Sequence, residues 1–293
     1  MGLAMARPSD FGRDDHLAMR SSVEQPLVSI VTITLNAAET LDRTIESVIN
    51  QTYNNLEYII IDGGSKDRTV DIIAKHGDEI DHWISEPDRG ISDAFNKGIS
   101  CAHGEIIGIL NASDWYELDT VSEVVRVFEQ RPDVDVVCGW LQYWRDGRRE
   151  YVFTSNPNQI MKEMTVNHPT VFVRRSAYET LGTFRVDFRY AMDYEFVLRL
   201  VVAGVKIVSL ERVLAHMQYE GLTSRNWGKA FTEVKRAKVE HLHKPLAAEG
   251  YYRFQCVRFR VRLILEQMGL ESMINLFRRR FSLLKKIQEE PKR

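Results

Sequence analysis

The stretch LVSIVTITL, residues 27–35, decides the fold, because it is apolar, rich in β-branched residues and continuous. Such a run is typical of a strand that is buried on both faces of a sheet. Three similar runs follow it: LEYIII at 56–61, IDHWIS at 80–85 and EIIGIL at 105–110. The segments 38–51, 67–75 and 91–102 lie between these runs, and we predict that they are helices because their apolar residues recur at helical spacing. Strands that alternate with helices in this way predict an α/β fold with a parallel, doubly wound sheet.

The second half of the chain is less regular. We predict a helix over 119–130 and a hairpin whose turn is Asp146-Gly147, because a two-residue Asp-Gly loop between apolar runs is a strong hairpin signal. The remaining predicted elements are a strand and a helix that end at Gly182, a helix at 193–203 and a last strand at 205–210.

The composition limits the classes of protein. With 293 residues and 44% hydrophobic content, the chain can build one large α/β domain with an extension. A net charge of −2 argues against nucleic acid as a partner. The three cysteines are far apart and lack metal-ligand spacing, which is typical of a reducing compartment. No stretch reaches about 18 consecutive apolar residues, so we expect a cytoplasmic protein, either free or peripheral on the inner face of the cytoplasmic membrane.

The C-terminal part of the chain is basic. We divide the sequence into a flexible leader at 1–26, an α/β domain at 27–225 and a helical basic extension at 226–293. Residues 251–293 hold 11 Lys and Arg against 4 Glu. The segment 273–287 predicts a helix with an apolar stripe beside basic residues. Two alternatives stay open: this helix lies on an anionic membrane surface, or it packs on the domain with its charges in solvent.

Polar residues follow each of the four predicted strands of the first half. They are Asn36, Asp62, Glu86 with Asp88, and Asp114. Ligands of doubly wound sheets bind outside the carboxyl ends of the strands. We therefore expect these side chains to converge on one crevice.

Asp114 is the acid that points most directly to chemistry. It lies five residues before the helix predicted at 119, too early to cap that helix. A carboxylate at a strand end suits a hard cation such as Mg²⁺ or Mn²⁺, which takes substrate phosphates as its other ligands. The sequence DGGSKDRT, in contrast, matches neither the dinucleotide fingerprint nor the P-loop, and its Asp62 has a second interpretation as a helix cap.

Four segments resemble the family 2 glycosyltransferases of the GT-A fold. They are VSIVTITLN through DGGSKDRT at 28–69, SEPDRGISDAFNKGI at 85–99, LNASDWY at 110–116, and HPTVFVRR through AMDYEFVLRL at 168–200. The resemblance covers roughly 27–225 and is greatest to bacterial members that build cell-surface polysaccharides and glycolipids. It implies a Rossmann-like, mostly parallel sheet flanked by helices, with a helical C-terminal extension.

The resemblance also implies roles for individual residues. On the donor side, Thr34 and Asn36 match positions that border the nucleotide, Asp62 matches the acid that holds the base, and Asp88, Gly90, Asp93 and Asn96 match the segment beside the ribose and the donor sugar. The sequence NASD stands at the place of the family's Asp-x-Asp-like motif, with Ser113 where many members have the first acid and Asp114 where they have the acid that meets the metal and diphosphate.

On the acceptor side, Asp193 matches the catalytic base of the family. The residue pattern alone leaves a second interpretation, an acid that is favoured by the dipole at a helix start. His168 matches a recurrent position of the acceptor-side segment, and a structural histidine is the alternative. His216 lies near the place where some members supply a further metal ligand.

The resemblance implies inverting transfer of a sugar from a nucleotide-sugar to a hydroxyl of a glycan or lipid-linked acceptor, with Mg²⁺ or Mn²⁺ as cofactor. Asp193 takes the proton of the acceptor hydroxyl, and no covalent intermediate is expected. A nucleotidyltransferase is one alternative, but such an enzyme would need a basic, Gly-rich phosphate-binding loop at the first strand. The sequence TITLNAAET lacks this loop. An inert nucleotide-sugar-binding protein is the other alternative. The presence of Asp193 argues against it, because such a protein would have lost the catalytic base.

Overall fold

The computed structural model describes residues 25–218, 226–270, 273 and 286–287. The first half of the sheet is parallel, with the strands in the order β3-β2-β1-β4. The strands are β1 Val28–Thr34, β2 Leu56–Asp62, β3 His82–Ser85 and β4 Ile106–Asn111. All four predicted strands are confirmed within two residues at each end.

Helices cover both faces of the sheet. The helices are α1 Leu41–Ile49, α2 Thr69–Lys75, α3 Ile91–Cys101, α4 Thr120–Gln130, α5 Arg175–Leu181, α6 Met192–Val202, α7 Trp227–Leu242 and α8 Pro245–Gln267. Successive side chains of β1 point to opposite faces. Ile30 therefore packs in the apolar layer of α1 and α4, whereas Val31 packs in the layer of α3 and α6.

The second half of the sheet is mixed. Its strands are β5 Asp114–Tyr116, β6 Val136–Arg145, β7 Arg148–Phe153, β8 Phe172–Arg174, β9 Ile207–Gln218 and β10 Lys286–Ile287. The predicted hairpin is confirmed, because Asp146 and Gly147 both adopt positive φ between β6 and β7. β8 joins the two halves through antiparallel pairs with β4 and β6. The α/β fold class is thus confirmed, with antiparallel pairings that the alternation of strands and helices did not predict.

The strand predicted at 205–210 is longer than expected. β9 runs parallel to β6, and its second half pairs antiparallel with β5. The register with β6 shifts around Trp140, next to Gly139, where a Cβ would meet the side chain of Leu214 at 2.5 Å. β9 thereby reaches the strand that begins with Asp114, a pairing that no local pattern indicates.

The C-terminal helices do not form a separate unit. Ala237 of α7 is fully buried in the same apolar cluster as residues of α3 and α6, so the predicted boundary between 225 and 226 does not coincide with a break in packing. Most of the helix predicted at 273–287, residues 274–285, lies outside the described residues. Its last two residues form β10, an antiparallel partner of β7, so the predicted helix does not extend to 287. Residues 1–24 of the leader also lie outside the described part.

In the part of the chain that the structure describes, no helix is long and apolar enough to cross a membrane.

Gly98 of α3 shows how tightly the first half of the sheet is packed. A Cβ at this position would collide with the side chain of Val31 on β1. We expect Gly98→Ala to lower the free energy of unfolding by about 1–3 kcal/mol, because overpacking a core forces side chains and backbone to shift. Urea denaturation measures the change.

Gly250 of α8 is the matched control, since a Cβ there would meet nothing within 4 Å. Gly250→Ala should raise the stability by about 0.4–1 kcal/mol, because alanine restricts the unfolded chain. Equal effects of the two substitutions would contradict the close approach of α3 to β1.

Candidate functional site

The turns after β1 and β2 are tied together by side chains. Asn36 is exposed and has a positive φ of 49°. Its backbone N–H donates to Ser65 Oγ at 2.7 Å, and its side-chain oxygen accepts from the Lys66 N–H at 2.8 Å. Thr34, just before, is buried, and its hydroxyl has no partner in the described part of the chain. Both residues lie at the carboxyl end of β1, and their expected place beside the nucleotide stays a prediction.

Asp62 is fully buried at the end of β2. Its carboxylate accepts the N–H groups of Gly64 at 3.1 Å and Ser65 at 3.0 Å, and the hydroxyl of Ser85 at 2.6 Å. The acid therefore shapes the turn that follows the strand. The expected contact of Asp62 with a base stays a prediction.

The segment after β3 places two more acids. Asp88 accepts the Gly90 N–H at 2.8 Å, and Gly90 begins α3 with φ of 120°, a conformation that side chains disfavour. Asp93 accepts from the Arg89 guanidinium at 2.6 Å and from its backbone N–H at 3.1 Å. These bonds from Arg89 hold the pKa of Asp93 below its usual range. Both acids thus stay at the start of α3, on the same edge as Asn36.

Asn96 has a different role from the one expected. Its side-chain amide donates to the carbonyl of Phe184 at 2.8 Å, and its side-chain oxygen accepts the N–H of the same residue at 2.9 Å. Ser92 adds a bond to the carbonyl of Phe188 at 3.1 Å. The two side chains fasten the segment before α6 to α3. Both polar groups of the Asn96 side chain are thus bound to the backbone of Phe184, so the structure does not support the expected role of Asn96 beside the donor sugar.

Asp114 has one uncommitted oxygen. The side chain is fully buried at the start of β5, and Oδ2 accepts from the Asn111 amide at 3.1 Å. Oδ1 is buried and has no partner among the described residues. Burial raises the pKa of this carboxyl to about 7. Ser113 lies beside it, partly exposed.

A divalent cation fits this arrangement, because a buried carboxylate oxygen without a donor is the ligand that a hard cation takes. In the described part of the chain, no group of three or more His, Cys, Asp or Glu side chains is arranged for a metal. The other ligands of such an ion would therefore come from phosphate oxygens and water, as is common for Mg²⁺.

His216 does not join Asp114. In the antiparallel pair of β5 and β9 it lies opposite Trp115, so it points to the other face of the strand pair from Asp114. Its Nδ1 accepts from Trp144 Nε1 at 3.0 Å, and its Nε2 faces Glu117 at 2.8 Å. Both ring nitrogens are engaged, which leaves none for the metal that the sequence placed there.

Asp193 and His168, the residues expected on the acceptor side, lie close to each other. Asp193 lies in the first turn of α6, partly exposed, and Oδ1 accepts the N–H of Tyr194 at 2.7 Å. The His168 ring stacks on Phe95 of α3 at 5.2 Å. Desolvation lowers the pKa of His168, and the negative charge of Asp193 opposes that shift, so the two groups are electrostatic neighbours.

Sequence analysis missed the residues that hold these groups. Asn111 fixes the orientation of Asp114, and its position in the same four-residue motif was the available signal. Glu117 fixes His216 from a loop that is 99 residues away in sequence, and nothing local indicates that pair.

Comparisons with known proteins found matches in sequence and in structure. The model of the family described as "Glycosyl transferase family 2" matches residues 29–192. An uncharacterised glycosyltransferase of Mycobacterium tuberculosis is 30% identical over 226 residues, which cover 75% of this chain and 86% of that protein. A PGL/p-HBAD biosynthesis glycosyltransferase of Mycobacterium bovis is 28% identical over 216 residues, 70% of this chain and 82% of that one.

Solved structures with the same fold are more distant in sequence. Staphylococcus aureus TarS in complex with UDP-GlcNAc gives a TM-score of 0.60 at 14% identity and covers 77% of this chain and 70% of that chain. The mannosyltransferase PcManGT from Pyrobaculum calidifontis, in complex with GDP-Man and Mn²⁺, gives 0.60 at 18% identity and covers 78% and 70%. The fold is the GT-A glycosyltransferase fold, and the chain belongs to glycosyl transferase family 2.

Proposed function

We propose that this glycosyltransferase moves a sugar, with inversion, from a nucleotide-sugar donor to a hydroxyl of a glycan or lipid-linked acceptor. The observation that carries the proposal is the position of Asp193. Its Oδ2 has no protein partner among the described residues, and the carboxylate lies beside His168 at the start of α6. A carboxylate held in this way can accept the proton of an attacking hydroxyl.

The chain separates the donor groups from the base. Asn36, Asp88 and Asp93 lie at the carboxyl edge of the parallel strands, where ligands of such sheets bind. Ser92 and Asn96 connect that edge to the segment before α6. An acceptor hydroxyl bound at Asp193 would attack the donor sugar from the side opposite the leaving diphosphate. The configuration of the sugar would then invert, and no covalent intermediate would form. Two solved proteins of the same fold carry UDP-GlcNAc or GDP-Man in their structures, which supports a nucleotide-sugar donor.

Asp114 would hold Mg²⁺ or Mn²⁺, with Ser113 beside the diphosphate. When bound, such an ion offsets the negative charge that grows on the leaving diphosphate. Burial of the carboxylate keeps water away from the ligand oxygen, and Asn111 fixes its orientation. The Mn²⁺ in the PcManGT structure supports a divalent ion.

A glycolipid or cell-surface polysaccharide is the product that we propose. The M. bovis relative, named for PGL/p-HBAD biosynthesis, supports this class. We further propose that the enzyme works on the inner face of the cytoplasmic membrane, attached by its C-terminal helices.

The exposed face of α8 supports the attachment. Phe254, Val257, Ile264 and Met268 are 45–64% exposed and recur at helical spacing. Arg260 is exposed beside the stripe. An apolar stripe with basic neighbours is the surface that lies on anionic lipid.

Asp114→Asn should change both the pH dependence and the metal response of stability. The folded pKa is about 7 and the usual value is 3.8, so the unfolded chain ionises first as the pH rises. The contribution of Asp114 to stability is therefore highest at low pH and is lost between about pH 4 and 7. At pH 8 without a divalent ion, we expect the variant to melt at a higher temperature than the wild type.

Mn²⁺ together with UDP or GDP should raise the melting temperature of the wild type. The melting temperature of Asp114→Asn should not change. Exposed Asp78 supplies the control, and Asp78→Asn should respond as the wild type does. The metal role of Asp114 is wrong if Asp114→Asn shows the wild-type gain.

Asp193→Asn should lower turnover by about 10²–10⁴-fold, the usual contribution of a general base. The asparagine keeps the size of the side chain but cannot take the proton. Melting temperature and nucleotide-sugar affinity should hardly change, because the interaction is made mainly in the transition state. Single-turnover release of nucleoside diphosphate measures the loss.

Glu179→Gln is the control, since Glu179 is an exposed acid of the neighbouring helix α5 that pairs with Arg175. It should keep wild-type turnover. Normal turnover of Asp193→Asn with a lower melting temperature would leave Asp193 as an acid that only stabilises the helix start.

Val257→Asp with Ile264→Asp should weaken binding to vesicles of phosphatidylglycerol and phosphatidylcholine by about tenfold or more, because two apolar contacts become charges of the same sign as the lipid. Leu118→Asp, a substitution at an exposed leucine far from α8, should bind as the wild type does. Cosedimentation at low and high salt measures binding. Equal recovery of all three proteins at low salt would rule out α8 as the contact.

A further inference from the structure

Glu233 of α7 accepts hydrogen bonds from three successive backbone N–H groups. Arg189 donates to Oε1 and Oε2, both at 3.0 Å. Tyr190 donates to Oε2 at 2.8 Å, and Ala191 donates to the same oxygen at 2.9 Å. Successive amides that converge on one anion form a concave anion site of the kind that loops use for phosphate. Here the chain supplies the anion from its own C-terminal region.

These three amides directly precede α6. Only the last of them, the N–H of Ala191, belongs to the cap position of α6. The Tyr194 N–H, in the first turn of the helix, bonds the Asp193 side chain instead. Glu233 thus fixes the backbone that leads into α6, from a position 42 residues later in the sequence.

Other contacts make α6 and α7 one body. His241 of α7 meets the fully buried Glu195 of α6 at 2.9 Å, and Glu195 also pairs with Arg199 at 3.1 Å. Arg236 donates to the Asp187 carbonyl at 2.9 Å. Ala237 fills the apolar cluster between the two helices. The path of the segment before α6 is thus set by α7 on one side.

On its other side, this segment is fastened to α3 by the bonds of Ser92 and Asn96. Asp193 lies two residues after the last amide that Glu233 holds. Charge-assisted hydrogen bonds are stronger than neutral ones, so the carboxylate of Glu233 fixes the backbone more firmly than an amide or hydroxyl would. The direction in which α6 leaves the segment, and with it the position of the Asp193 carboxylate, depends on these bonds.

We propose that Glu233 is a positioning residue for glycosyl transfer: its carboxylate holds the backbone of 189–191 so that Asp193 meets the acceptor hydroxyl. The inference rests on the proposed function, in which Asp193 is the base. The helix α7, which begins after the last residue that the family model matches, would thus help to position the base. A merely stabilising role for Glu233 would leave the rate of the chemical step unchanged in the folded protein.

The test compares Glu233→Ala and Glu233→Gln with Glu240→Gln. Glu240 is an exposed acid of the same helix that pairs with Arg185 and Arg236, so its loss removes a charge of α7 without touching the three amides. Amide hydrogen exchange over 188–194 measures how firmly the segment is held. Turnover and KM are measured by release of nucleoside diphosphate from UDP-GlcNAc, UDP-glucose and GDP-mannose, at a temperature where every variant is folded by circular dichroism.

We expect Glu233→Ala to speed exchange at 189–191 by about tenfold or more and to lower kcat by about 10–10²-fold, with KM for the donor unchanged. Glu233→Gln keeps one acceptor oxygen and should recover part of both losses. Glu240→Gln should match the wild type in exchange and kcat.

Unchanged exchange at 189–191 in Glu233→Ala would overturn the proposal, whatever the activity. Faster exchange with an unchanged kcat would also overturn it, since the bonds would then stabilise without positioning. If Asp193→Asn keeps full turnover while Glu233→Ala loses it, the proposed base is wrong and the positioning claim falls with it. A wild type that releases no nucleoside diphosphate from any donor contradicts the proposed function alone, and the exchange result still decides whether Glu233 holds the segment.

Discussion

Burial of β1 on both faces is the constraint on which the rest of the structure depends. The strand pairs with β2 on one side and β4 on the other, and its alternate side chains enter two separate apolar layers. A strand in this position cannot shift by one residue without exchanging the two layers. The carboxyl ends of β1, β2 and β4 are therefore fixed relative to one another. The polar residues that follow them, Asn36, Asp62 and Asp114, are brought to one edge as a consequence.

Burial at that edge has an electrostatic cost that a ligand can offset. Asp114 lies inside the protein with one oxygen bound to Asn111 and the other without a donor. An isolated buried carboxylate is destabilising when it is charged, and its pKa rises in response. A divalent ion bound to the free oxygen would offset this cost, because it would supply a compensating positive charge. The same feature that weakens the ligand-free protein would thus favour binding of metal and diphosphate together.

The segment that leads to Asp193 is held by distant parts of the chain. Glu233 binds the three backbone N–H groups that precede α6, and Asn96 ties the same segment to α3. Neither support lies near Asp193 in sequence. The position of the Asp193 side chain therefore depends on the packing of α3, α6 and α7. The helix that follows residue 225 packs in the same apolar cluster as α3 and α6, although the match to the family model ends at 192.

The sequence by itself determined the parallel half of the sheet, the helices that flank it, the hairpin turn at Asp146-Gly147 and the family. Each of these depends on a local period or on a motif of contiguous residues. It also placed Asn36, Asp88 and Asp114 at one edge, because the carboxyl ends of parallel strands must meet there. Only the tertiary structure decided the rest. His216 faces away from Asp114 because the register of β5 and β9 places it opposite Trp115. The Asn96 side chain binds the backbone of Phe184, which is 88 residues away in the sequence. Glu233 finds its three amides through helix packing. Interactions between residues so far apart in sequence leave no periodic signal, since each is fixed by where two elements meet in space.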